Sequence, residues 1–120
     1  MLTLLLSCAI LTSFMDPPQI IIQPGNAFVA STRRFQGIPS LARAPEGRLW
    51  ATWYGGPGTG EDETNYVILV TSGDQGRTWS PLIDIEPADG PEASWVVPLI
   101  TPSGRIYAFY DYNGDRVSTL

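Results

Sequence analysis

Lysine and histidine are both absent from this sequence, and cysteine occurs once, at Cys8. The missing lysine excludes a phosphate-binding loop at Gly55-Gly-Pro-Gly-Thr-Gly60, because that motif needs a lysine to reach the phosphates. The missing histidine excludes a Ser-His-Asp triad and a histidine-ligated zinc site within the chain. Positive charge is also scarce: the basic residues are seven arginines against twelve acidic residues, a formal charge of −5. Phosphate backbones are bound by clustered basic charge, so nucleic acid is not an expected partner. Beyond the N-terminus no segment sustains a 3.6-residue apolar period, so no amphipathic helix is expected.

What the chain does have is an apolar start and heavy punctuation. Residues 1–15 carry no charge and stop sharply at Asp16-Pro-Pro18. The run is too short for a membrane span, which needs about 20 apolar residues, but it has the length of a secretory h-region. A signal peptide over 1–15 and a secreted or periplasmic protein with no stable membrane span are therefore expected. A basic n-region and a small-x-small cleavage site are missing, so a misassigned start or a buried strand is the competing reading. Leu5-Leu-Ser-Cys8 has some likeness to a lipoprotein box, although the apolar run continues past the cysteine. Cleavage after Cys8 would leave no cysteine, and stability would then rest on packing.

Eleven prolines and twelve glycines suit short strands and turns. Gln19–Gln23 has a buried-strand pattern, and 26–31 could add an edge strand. A strand is expected after Pro39, and Arg48–Tyr54 carries aromatics on alternating positions. A loop over 55–64 holds Glu61-Asp62-Glu63. A strand follows over 65–71, then the turn Ser72-Gly-Asp-Gln-Gly-Arg-Thr-Trp79, with a further strand through Pro81–Glu86. In that turn a short carboxylate, Asp74, can accept bonds from its own backbone while Gly76 takes a positive φ. Trp79 is expected to return the chain to an apolar layer.

The sequence also repeats itself. Pro45-Glu-Gly-Arg-Leu-Trp-Ala51 aligns with Pro102-Ser-Gly-Arg-Ile-Tyr-Ala108 at an offset of 102 − 45 = 57 residues. The alignment pairs Trp50 with Tyr107 and Trp53 with Tyr110, and each copy reads as a hairpin about a Pro-x-Gly turn. A period in this range, roughly 40 to 50 residues plus insertions, is that of a four-stranded propeller blade.

The spacing Ser72-x-Asp74-x-Gly76-x-Thr78-Trp79 matches the Asp-box. Together with the repeat, it makes the chain similar to the sialidase-like (BNR-repeat) β-propellers over about residues 33–120. The resemblance implies an all-β propeller of four-stranded antiparallel blades, with one blade near 38–86 and the next beginning near 94. The propeller domain would span 19–120 as the N-terminal part of a longer protein, and this segment alone is expected to be inactive, with uncovered aromatic faces that favour aggregation. The Asp-box residues Ser72, Asp74, Gly76, Thr78 and Trp79 lie on the outer rim of such propellers and are structural.

The implied activity is glycoside hydrolysis at a terminal sugar of a glycan or polysaccharide. The family clamps its substrate carboxylate with arginines, the first in a Phe-Arg-Ile-Pro motif. Here the stretch is Phe35-Gln36-Gly37-Ile38-Pro39, so glycine stands where that arginine lies and supplies no bidentate clamp. The family acid/base falls on the loop between the second and third strands of the first blade. In this chain that loop carries Glu61, Asp62 and Glu63, which the resemblance makes candidate acid/base residues. A solvated acidic loop and an incomplete calcium site are the competing readings. Gln36, Arg34 and Asn65 are candidate substrate-binding residues, with Gln36 and Asn65 expected on one face. No cofactor and no metal is called for. A non-catalytic glycan-binding or scaffold propeller and a propeller polysaccharide lyase are the alternatives from other classes.

Overall fold

The computed structural model describes residues 20–86 and 92–113. The apolar run 1–15, Cys8 and the last residues of the expected second unit lie outside the described residues. Strands β1 (Phe35–Arg43), β2 (Leu49–Gly56), β3 (Tyr66–Ser72) and β4 (Asp84–Ile85) form one antiparallel sheet in sequential order. Strands β5 (Glu92–Ile100) and β6 (Ile106–Asn113) form a second antiparallel sheet. The described chain is all-β apart from two short 3-10 turns, Asn26–Phe28 and Ala30–Thr32. Among the described residues no helix is long and apolar enough to cross a membrane.

The two hairpins share one register. In the first, Arg43 pairs with Leu49 and Phe35 with Gly56; in the second, Ile100 pairs with Ile106 and Glu92 with Asn113. Even the irregularity recurs, between Gly37 and Ser40 and again between Ser94 and Val97, displaced by 94 − 37 = 57 residues. The turns are equally alike. Gly47 N–H donates to the Ala44 carbonyl at 2.8 Å, and Gly104 N–H to the Thr101 carbonyl at 2.9 Å. Both glycines adopt positive φ, +97° and +82°, which a side chain would resist.

Several local expectations are corrected. β1 begins at Phe35 and runs through Pro39, which is tolerated because the strand is an edge and the proline sits in the bulge. Gln19–Gln23 contributes only a bridge from Ile21 to Ile85, and residues 26–31 form 3-10 turns instead of a strand. Pro81–Glu86 yields only the two-residue β4. Trp79 does not enter an apolar layer: it is exposed, with Cζ2 of its ring 3.7 Å from where a β-carbon on Gly76 would sit.

The first sheet buries both faces. On one, Tyr66, Ile68 and Ile85 pack with Ile21, Phe28, Trp53 and Leu82. Each fully buried aliphatic there contributes about 1.5–3 kcal/mol. On the other, Val67 packs against Ala93, Val96 and Tyr110 of the second hairpin. Polar links also cross this junction, among them the Tyr110 hydroxyl donating to Glu86 Oε1 at 2.5 Å. Ala93 N–H donates to the Asn65 carbonyl at 3.1 Å, and the Thr52 hydroxyl to the Val96 carbonyl at 3.3 Å.

Candidate functional site

The Asp-box residues form a closed turn. Asp74 Oδ1 accepts from the Ser72 hydroxyl at 2.8 Å and from Thr78 N–H at 2.9 Å, while Oδ2 accepts from the Thr78 hydroxyl at 2.6 Å. Ser72, itself buried, accepts from Gly76 N–H at 2.9 Å. Bonds from Thr78, then from Ser72, lower the Asp74 carboxyl to about 2, because they favour its charged form. The Ser72, Asp74 and Thr78 side chains are all bonded within the turn.

The opposite end of the β1–β2 hairpin is built around Tyr54. Strand alternation turns Phe35, Gly37, Tyr54 and Gly56 to the face that receives the second hairpin, and Gln36 and Trp53 to the other. Tyr54 is fully buried and lies directly against Gly37: a β-carbon at residue 37 would fall 2.7 Å from its Cζ and 2.9 Å from its hydroxyl oxygen. The glycine is therefore required by the phenol that occupies the space a side chain would need. The Tyr54 hydroxyl donates to Glu61 Oε1. Burial, then that bond, then the negative charges of Glu61 and Glu92 hold the phenol well above its ordinary pKa. Tyr54 is thus a neutral donor to Glu61.

The three loop carboxylates have separate environments. Glu61 is exposed and anchored by Tyr54. Asp62 turns inward: its Oδ1 accepts from Thr64 N–H at 2.9 Å and from the Thr64 hydroxyl at 2.5 Å. Its other oxygen lies against Gly58, where a β-carbon would come within 1.8 Å. Asp62 therefore organises the loop. Glu63 is exposed.

The expected substrate-binding set does not converge. Gln36 Oε1 accepts from Trp53 Nε1 at 3.1 Å and from Arg33 Nε at 3.2 Å, on the face away from Tyr54. Asn65 is fully buried on the Tyr54 side, its carboxamide beneath Gly56. Gln36 and Asn65 are on opposite faces because their strands alternate out of phase. Arg34 is exposed beside the loop, its N–H bonded to the Gly56 carbonyl at 3.0 Å. Arg33 is committed to the Phe28 carbonyl at 2.6 Å and to the Trp53 ring at 5.9 Å.

Four residues join the site that motif reading did not select as site residues. Phe35, Tyr54 and Trp95 form an aromatic row with centroids 6.0 and 6.2 Å apart. Glu92, at the start of β5, places a second negative charge near the same phenol. The signal for Trp95 and Glu92 was the 57-residue offset, which carries β5 onto β1 and so onto the strand holding Gly37. A separate cleft of about 620 Å³ opens on the far face, lined by Pro24, Phe28, Val29, Pro81 and Leu82. It holds none of these carboxylates, and its apolar lining fits packing better than sugar chemistry. Comparison with protein-family models finds no match, and comparison with the curated proteins finds no relative.

Proposed function

We propose that this chain belongs to a secreted, sialidase-like β-propeller that hydrolyses a terminal glycosidic bond of a glycan, with Glu61 as the acid/base carboxylate. The observation that carries the reading is the Tyr54–Glu61 hydrogen bond. It sets one carboxylate of an acidic loop at the junction of two sheets, on the loop between the second and third strands. Glycoside hydrolysis needs a positioned carboxylate, and a second one near it; Glu92 is the candidate for that place. The Asp-box turn and the shared hairpin register support the propeller. The apolar N-terminal run supports export. Tyr54 fills the space where an arginine at residue 37 would project, which favours a sugar that is not held by its carboxylate at that point.

The test is a screen of the full-length protein against α-linked sialosides and against neutral and uronate-containing oligosaccharides. Glu61→Gln, Asp62→Asn and Glu63→Gln are assayed beside the parent. Turnover lost in Glu61→Gln and kept in Glu63→Gln supports the assignment. Turnover kept in all three removes the loop from the chemistry. Oligosaccharide binding without turnover would assign the chain to a glycan-binding propeller instead.

A further inference from the structure

We propose that Trp95 is a stacking platform for a sugar ring at the mouth of this site, an inference that rests on reading the site as a glycan site. Its backbone is in the left-handed region, φ +54°, which a bulky aromatic in a strand rarely adopts. The bulge itself does not demand that conformation. In the first hairpin the same bulge holds Ile38 (95 − 38 = 57), and Ile38 is not among the described non-glycine residues of positive φ. Strain confined to one copy of a repeated element is the kind that persists at functional positions.

The strained residue keeps its indole in the open. Trp95 is 51% exposed, although Ser94 and Val96 on either side are buried. The ring is not isolated, for its centroid lies 6.2 Å from that of Tyr54, the residue that holds Glu61. An indole face carries partial negative charge and attracts the polarised C–H groups on the apolar side of a pyranose. A sugar laid on Trp95 would present its edge hydroxyls toward the carboxylate that Tyr54 anchors. The ligand class is therefore a pyranose unit with one unsubstituted apolar face. Binding pockets for such molecules combine aromatic walls with a few placed polar groups.

The test separates binding from turnover by measuring affinity in the Glu61→Gln background of the full-length protein. Calorimetric titrations use cellohexaose, mannohexaose and sialyllactose, with Trp95→Gly, Trp95→Ala and Trp95→Phe compared. The expected result is at least a tenfold loss of affinity for whichever probe binds in Trp95→Gly and Trp95→Ala, with part of it restored in Trp95→Phe. The melting temperature of Trp95→Gly should be unchanged or higher, since glycine accepts the backbone conformation. Equal affinity in all variants overturns the platform, as does failure of every probe to bind, or a lower melting temperature in Trp95→Gly. Trp95-dependent binding by a protein that turns over no glycan keeps the platform and removes hydrolysis. Turnover with Kd and KM indifferent to residue 95 does the reverse.

Discussion

Single residues carry two effects here that can be read separately. Asp74 has a folded pKa lowered from 3.8 to about 2. A depressed carboxylate contributes stability that is fully present above its unfolded pKa and is lost as pH falls through the folded one. The acid limb of the stability curve between about pH 4 and pH 2 should therefore flatten in Asp74→Asn, and the variant should melt lower at pH 7. Thermal melts across that range check this, and an unchanged acid limb would show that the turn does not depend on the charge. Tyr66 tests the opposite case. Among the described residues its buried hydroxyl has no hydrogen-bond partner, while its ring packs edge-on to Phe28 at 5.1 Å. A buried unpaired hydroxyl costs about 1–3 kcal/mol, so Tyr66→Phe should stabilise the protein by about 1 kcal/mol in urea titrations. Asp74 was legible in the sequence because its bonds are all local. Tyr66, Tyr54 and Trp95 were not, because burial, contact with Glu61 and a left-handed φ arise only when distant strands meet.

At the level of elements, the two hairpins behave as one structure built twice. Gly47 and Gly104 occupy the same place in the two turns, and neither would meet a severe clash on gaining a β-carbon. The cost of Gly47→Ala and of Gly104→Ala should then be backbone strain alone, about 1–2 kcal/mol each and similar to one another. Chemical denaturation of both variants checks the equivalence. A much larger loss at one site would show that the turns differ in what surrounds them. The repeat foretold both hairpins because Pro-x-Gly turns and alternating aromatics are local signals. It did not foretell the bulge, which lets β1 start before Pro39, or the shortness of β4, where tertiary pairing decides how far a strand extends. The acidic loop was located correctly between β2 and β3, but sequence could not divide its labour. Asp62 is drawn into the loop by Thr64, and Glu61 is drawn to Tyr54.

For the molecule as a whole, the informative surface is the outer face of the second hairpin. Val97, Leu99, Tyr107 and Phe109 are all 42–55% exposed there. Their counterparts in the first sheet, 57 residues earlier, are Ser40, Ala42, Trp50 and Thr52, on the face against which β5 packs. Exposed apolar area of this kind favours association between copies. Leu99→Lys with Phe109→Glu should accordingly reduce self-association of the 120-residue chain. Sedimentation velocity of the parent and the double variant checks this. Unchanged self-association would count against this face as the contact surface.

Glu61, held by Tyr54, is proposed as the carboxylate that does the chemistry of a glycan-cleaving site. The most direct measurement is the kcat of Glu61→Gln on the oligosaccharide that the full-length protein cleaves, with Glu63→Gln as control. A positioned general acid or base typically contributes 10²–10⁴-fold, so kcat should fall by about that factor in Glu61→Gln and stay within about twofold in Glu63→Gln. A kcat for Glu61→Gln within about twofold of the parent would rule out Glu61 as the acid/base.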